Sequence, residues 1–507
     1  MKINQTKSGI LLSYIQMGLG MIISIIYTPI MLRLLGQSEY GLYNISSSII
    51  SYLSLFHFGF GSSYVRYYIK YKKNSKEKIK SLNGLYLLVF SILGLIAFIV
   101  GIILALNCRL IFDKGLNTSE LSIIKNLMLI MAFNMAISFP ASVFVSYITA
   151  NEKFIFQKLV NMIKTVFNPM ITLGILLLGF RSMGMAIVVT FFSLITDIIN
   201  IVYCIKKLEM KFSFLNLEFK IFKEIAIFSG FIALNMIVDE INWNLDKFLL
   251  GRFRGSIATS VYAIASILNS YYRSISTSIT SVFTPRVHNA VVENKDIKPV
   301  SRLFVRVGRI QFMILALICS GFLFFGKRFI IIWAGHGYED AYYITLVLIL
   351  PTTIPYIQGL GVEIQRAMNM HRFRSFTYLI MALLNIGISI PLCTLLGGIG
   401  CALGTSITLI LANGFIMNWY YYKKMGLEIP YFWKQIVLEC KGLVIPIIFG
   451  GIVWNYLIEC SLLFYVILII IYTLIYSGSM YIFGMNDYEK NLINPLLKKL
   501  YISVKGK

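Results

Sequence analysis

The stretch RYYIKYKKNSKEKIKSLNGLYLLVFSILGLIAFIVGIILAL, residues 66–106, decides the fold. Its first part carries Arg66, Lys70, Lys72, Lys73, Lys76, Lys78 and Lys80; its second, 82–106, carries no charge. A run of about 20 apolar residues at about 1.5 Å each crosses a hydrocarbon core of about 30 Å. Working outward from 82–106, the same pattern recurs along the whole chain. The expected spans are 8–34, 40–65, 82–106, 120–149, 158–180, 184–205, 224–250, 256–284, 309–333, 342–367, 375–396, 398–420, 437–458 and 463–484. The fold class is therefore an all-α polytopic membrane protein of about fourteen transmembrane helices.

Lysine and arginine gather in every second gap. With the N-terminus inside, the inward set begins at Lys2 and Lys7 and continues through Arg66 to Lys80. It includes Lys153 and Lys158; Lys206, Lys207, Lys211, Lys220 and Lys223; Arg286 to Arg309; Arg372 and Arg374; Lys423 to Lys441; and the tail lysines. The outward loops hold Arg33, Arg109, Lys114, Arg181, Arg252, Arg254, Lys327 and Arg328. About four positive charges face inward for each one outward, as topology signals require. An even number of spans then places both termini in the cytoplasm.

Composition closes off other classes. Hydrophobic residues are 58% and charged residues 13% of the 507, unlike a soluble domain. The net charge of +24 is spread over the inward loops rather than forming one nucleic-acid surface. The seven cysteines show no paired close spacing, so no disulfide framework or metal site is expected. Met1 leads directly into the first span with no small-residue cleavage site, so no removed signal peptide is expected. The longest cytoplasmic stretches, 206–223 and 285–308, are too short for a catalytic domain. Chemistry is therefore expected inside the helix bundle, and no enzyme activity is expected.

The chain repeats internally. Gly184-Met185-Ala186 to Lys206-Lys207 parallels Gly400-Cys401-Ala402 to Lys423-Lys424. Gly36 and Gly251 lie 215 positions apart, Asn168 and Asn385 lie 217 apart, and Lys206 and Lys423 again 217. Each unit holds an even number of spans, so the halves share one orientation, a parallel repeat with a substrate site between them. The expected domains are an N-terminal lobe 1–206, a C-terminal lobe 207–424, and accessory helices with a tail, 425–507.

Polar groups at membrane depth are costly and mark function. In the seventh span Asn235, Asp239, Asn242 and Asp246 share one helix face, with Glu240, Asn244 and Lys247 beside it. In the eighth, Ser266, Ser270, Arg273, Thr277, Thr280 and Thr284 form a second stripe; the second span adds Asn44, Ser47, Ser51 and Ser54. In the tenth, Pro351 and Pro355 are placed to break the helix. These stripes predict a hydrated cavity. Arg273, with small hydroxyl neighbours and no acid on its own helix, is the expected anion contact, helped by Ser270, Thr277, Asn242, Lys164 and Ser51. Asp239, Asp246 and Asn235 are the expected cation or proton site. Asp246 and Lys247 also fit a mutual pair or snorkelling, Glu363 with Arg366 fits a structural ion pair, and His57 a satisfied core histidine. Gly321 to Lys327 has phosphate-loop spacing, but Arg328 replaces the Ser/Thr and the stretch is an apolar helix.

The order of segments resembles the polysaccharide transporter (oligosaccharide flippase) family of the multidrug/oligosaccharidyl-lipid/polysaccharide exporter superfamily. The residues that carry this are Leu34-Leu35-Gly36 through Glu39-Tyr40-Gly41-Leu42-Tyr43, then Leu245-Asp246-Lys247-Phe248-Leu249-Leu250-Gly251 and Val261-Tyr262. Asn385 and Gly397-Gly398-Ile399-Gly400-Cys401-Ala402-Leu403-Gly404-Thr405 complete them. The resemblance implies a two-lobed transporter of the bacterial cytoplasmic membrane; no cofactor is expected, and the acid stripe of the seventh span alone suggests Na⁺ or H⁺ coupling. It would flip undecaprenyl-pyrophosphate-linked oligosaccharide outward for capsule, O-antigen or exopolysaccharide assembly, beside polysaccharide polymerase machinery and membrane lipids, with no nucleic acid. A guanidinium suits a pyrophosphate, and outward movement of each negative charge gains about 2.3 kcal/mol per 100 mV. Three rivals remain: a lipid-linked peptidoglycan precursor flippase, a drug/cation antiporter, and a polymerase or ligase. The first span has no acid for the antiporter, and the outward loops, the longest being 107–119 and 334–341, are short for an enzyme.

Overall fold

The computed structural model describes residues 5–57, 60–72, 75–215, 219–293, 296–457, 460–492 and 494–495. Lys2, Lys73, Lys498, Lys499, Lys505 and Lys507 lie outside these, as do the side chains of Lys7, Lys220 and Lys223. Among the described residues all regular structure is helical, as it must be where backbone groups have no water to bond.

The helices are α1 Gln5–Leu35, α2 Gln37–Leu53, α3 Phe60–Lys72, α4 Lys76–Leu106, α5 Thr118–Ala150 and α6 Phe154–Leu177. They continue as α7 Arg181–Lys207, α8 Phe219–Phe253, α9 Gly255–Glu293, α10 Lys298–Trp333 and α11 Asp340–Ala367. The last are α12 His371–Leu396, α13 Gly398–Lys423, α14 Ile429–Val453 and α15 Leu462–Gly484. Every expected span has its helix, the second span being shared by α2 and α3. Among the described residues, eleven are long and apolar enough to cross a membrane. The other expected spans fall short of this for physical reasons. The second is broken by a 3₁₀ turn, Ser54–His57. The first half of α8 lies largely outside the described side chains, and α9 carries the hydroxyl stripe.

Local chemistry sets the ends and kinks. Asn117 and Glu120 form a reciprocal capping box at the start of α5. In α11 the break falls at Gln358, just after Pro351 and Pro355. The turns Tyr203–Lys207, Ile410–Met417 and Met480–Gly484 are π-helical.

The chain divides into two compact units, residues 1–263 with 386–401, and 264–385 with 402–507. In the first, Leu42, Ile45, Tyr64, Phe90, Ile124 and Met128 centre the core. Gly41 sits against the backbone of Ser256 so closely that a Cβ would overlap it. In the second, Tyr272, Phe304, Leu315, Leu360 and Phe432 centre the core. There the accessory helices pack on α10: the Tyr465 hydroxyl donates to the Phe325 carbonyl at 2.9 Å and Tyr476 to that of Met313 at 2.7 Å. Their other faces expose Ile445, Ile448, Ile452, Leu463, Ile470 and Leu474, a surface suited to lipid.

Candidate functional site

Helix α9 has two polar faces with different fates. One is buried and fully used. The Tyr272 hydroxyl bonds Thr353 Oγ1 at 2.6 Å, and Ser276 donates to the Tyr356 carbonyl at 2.9 Å. Gln311 Nε2 donates to the Ser276 carbonyl at 3.1 Å and to Thr280 Oγ1 at 2.8 Å. This face pins α9 to α10 and α11 inside the second unit.

The other face is open. Ser270, Thr277 and Ser281 are exposed, and Arg273 and Ser274 half-buried. The hydroxyl protons are spent on backbone carbonyls: Ser274 on Ser270 at 2.9 Å, Thr277 on Ser274 at 3.1 Å and Ser281 on Ser278 at 2.8 Å. The oxygens of Ser274 and Thr277 keep capacity to accept. Arg273 lies within electrostatic range of Tyr356. An arginine at the bilayer centre costs about 2.5–3.5 kcal/mol against lipid even on the mildest scale. A stripe of this kind is therefore costly to hold against lipid.

In the first unit, α8 carries the acids. Asp246 is only 3% exposed and accepts a hydrogen bond from the Tyr262 hydroxyl of α9. Asp239 is exposed, Asn242 and Lys247 are half-buried, and the side chain of Asn235 lies outside the described residues. Glu240 accepts from Asn244 at 2.6 Å and from Ser54 at 3.5 Å. Ser51 donates to the Ser48 carbonyl at 2.7 Å. Lys164 is elsewhere: its Nζ donates to Ser193 Oγ at 3.0 Å, and it borders a cavity of about 440 Å³ with Gln16, Tyr27, Asn161, Thr165 and Asn168. The nine expected site residues are thus divided. Ser270, Arg273 and Thr277 belong to the second unit, and the other six to the first.

Asp197 was missed in the sequence. It lies near Lys164 and accepts from Ser138 at 3.4 Å. Its spacing of four from Ser193 was the available signal.

Arg309, read only as an inward charge, is 3% exposed and held from five directions. Its Nε and Nη2 donate to Glu489 at 2.6 and 2.8 Å, and its other N–H groups to the Gln435 carbonyl and side chain and the Gly484 carbonyl. Glu439, 0% exposed, lies 3.9 Å from Arg309 Nη1.

The bland readings of two groups hold. Arg366 pairs with Glu363 at 2.7 Å. His57 Nε2 lies 3.2 Å from Ser142 Oγ and packs against Phe90 and Phe139.

The segments behind the family resemblance turn out to be interhelix contacts. Glu39 accepts from Ser182 and faces Arg181 at 3.7 Å. Asn385 donates to Thr405 at 3.3 Å, and Gly400 abuts the backbone of Leu392. Among the described residues no cluster of three or more His, Cys, Asp or Glu side chains is placed to hold a metal.

Comparison with known proteins adds three findings. The sequence profile of a family described as polysaccharide biosynthesis protein matches residues 6–292. A Shigella flexneri protein described as a putative O-antigen transporter is 23% identical over 408 residues, 77% of this chain and 91% of that one. Among solved structures, the lipid II flippase MurJ in an inward closed conformation matches with a TM-score of 0.75 at 18% identity, over 94% of this chain and 98% of that one. An inward-facing multidrug resistance MATE family transporter of the MOP superfamily matches at 0.62 and 14% identity, over 83% and 99%. At these identities the structural likeness shows a shared fold.

Proposed function

The chain belongs to the polysaccharide biosynthesis protein family, and from that premise we propose that it is a flippase moving polyprenyl-pyrophosphate-linked oligosaccharide outward across the bacterial cytoplasmic membrane by alternating access. It is a multi-pass membrane protein whose relatives are transporters and flippases rather than enzymes. The observation that carries the cargo assignment is the open face of α9, where Arg273 is flanked by Ser270, Ser274 and Thr277. A cationic fork among hydroxyls suits an anionic pyrophosphate followed by sugars, and neither suits a lipid tail.

Two six-helix lobes, 1–206 and 207–424, would alternate access to that cargo, with 425–507 as accessory helices beside the tail. Both termini are cytoplasmic in this reading, which the distribution of lysine and arginine supports. The carrier would reset with Na⁺ or H⁺ at Asp239 or Asp246. Transport unchanged by Asp239→Asn and Asp246→Asn under varied sodium and proton gradients would remove that step.

A bacterium lacking its own oligosaccharide flippase tests the cargo. Restored surface polysaccharide on expression supports it. Failure there, together with rescue of cells depleted of their lipid II flippase, moves the assignment to the peptidoglycan precursor. That rival is kept because the fold match to a lipid II flippase spans nearly the whole chain.

A further inference from the structure

A second polar cavity lies in the second unit, apart from the α9 stripe. It has a volume of about 840 Å³, within the range of small-ligand sites. The first turns of α10 and α14 contribute Lys298 and Pro430 to its wall, so two positive helix ends border it. Lys298, Arg302 and Arg306 step by four along α10, line it together, and are exposed. Among the described residues none of the three has an ion-pair partner. Arg309 forms the floor but is committed to Glu489.

One of the cations is also oriented. The Arg306 guanidinium lies 4.6 Å from the centre of the Tyr488 ring, a cation–π contact that holds its fork in place. The Gln435 and Asn486 side chains add amide groups to the wall. Glu428 and Asp487 line the cavity too, yet neither pairs with the three cations. That placement leaves the carboxylates as acceptors for hydroxyls while the cations take an anion.

We propose that this cavity binds a phosphoryl anion on a hydroxylated headgroup, as a glycerol- or sugar-phosphate lipid presents it at the membrane surface. The site rests on the cavity alone and stands whether or not the chain moves lipid-linked sugars. Cations placed only for topology would be spread over helix ends without converging on one cavity.

The test is native mass spectrometry of the full detergent-solubilised chain, titrated separately with phosphatidylglycerol, zwitterionic phosphatidylcholine and inorganic pyrophosphate. The wild type is expected to retain phosphatidylglycerol over phosphatidylcholine. Arg302→Gln with Arg306→Gln is expected to weaken that binding about 30-fold, at about one surface-cation contribution each. Lys206→Gln with Lys207→Gln, an equal charge loss elsewhere, should change it by less than about twofold. Each single substitution, about fivefold weaker, keeps the test decisive if the double variant fails to elute as a folded species. Pyrophosphate that displaces the lipid shows that the free anion suffices; retention of lipid against pyrophosphate shows that the lipid-borne headgroup is the ligand. Equal losses in both double variants, or no preference in the wild type, would overturn the site.

Discussion

The buried cluster of Arg309, Glu439 and Glu489 makes a prediction with a built-in control. Glu489 accepts two charge-assisted hydrogen bonds from Arg309 at 2.6 and 2.8 Å, and a third from the Asn486 backbone at 2.8 Å. Glu489→Ala strips the arginine of its bidentate partner at a place where both side chains are almost fully covered, 3% and 2% exposed. Breaking a buried pair on one side costs about 3–5 kcal/mol. Glu439 is as buried as Glu489 but is bonded differently. Among the described residues neither of its carboxylate oxygens accepts a hydrogen bond, and it approaches Arg309 no closer than 3.9 Å. Glu439→Gln keeps nearly the same volume and takes away no hydrogen bond. Its cost should be under about 1 kcal/mol, since no hydrogen bond is lost. Thermal unfolding of the detergent-solubilised protein, with hydrogen exchange of residues 462–484 as the local readout, compares the two. Glu489→Ala should lower the midpoint by several degrees and free exchange in α15, while Glu439→Gln does neither. An equal or larger loss in Glu439→Gln would refute the assignment of the strength to the hydrogen bonds.

Other outcomes follow from the first unit. Tyr262→Phe removes the donor to the buried Asp246 carboxylate and should cost about 1.5–3 kcal/mol; Tyr262→Phe in an Asp246→Asn background should cost clearly less, and equal costs would show that the hydroxyl does not serve Asp246. Glu120 accepts from Ser38 at 2.8 Å and Ser256 at 2.5 Å besides capping α5, so Glu120→Ala should cost about 2 kcal/mol. Glu77→Ala, which loses a surface pair with Lys80, should cost under about 0.5 kcal/mol; thermal midpoints that rank the two the other way would contradict the network. Gly41→Ala drives a Cβ into the Ser256 backbone and should abolish monodisperse elution, whereas Gly18→Ala, with open space around it, should elute as wild type.

Length and hydropathy made the spans legible, because crossing a bilayer demands a long apolar run whatever its partners are. Helix starts were less so. The ninth span was read from 309, but α10 begins at Lys298. Its first turns alternate buried Val300, Phe304 and Val305 with exposed Arg302 and Arg306, an amphipathic pattern that a hydropathy window does not register. The polar stripe of α9 was visible from its spacing alone, though spacing did not reveal that Thr280 is tied to Gln311 or that the neighbouring Tyr272 and Ser276 serve packing. Glu39, Gly41 and Asp246 drew notice as family landmarks; the structure gives them a physical role as contacts between helices. The Arg309 cluster was invisible because its partners lie 126 and 180 positions away, and nothing local in one sequence joins them.

The most direct test of the transport function is a leaflet-resolved assay in proteoliposomes containing this protein and polyprenyl-pyrophosphate oligosaccharide. Exposure of the glycan to an external glycan-cleaving enzyme is followed over time. Protein-dependent exposure is expected, lost in Arg273→Ala and partly retained in Arg273→Lys, with both variants folded. No protein-dependent exposure, alongside proton- or sodium-driven efflux of an organic cation, would contradict it.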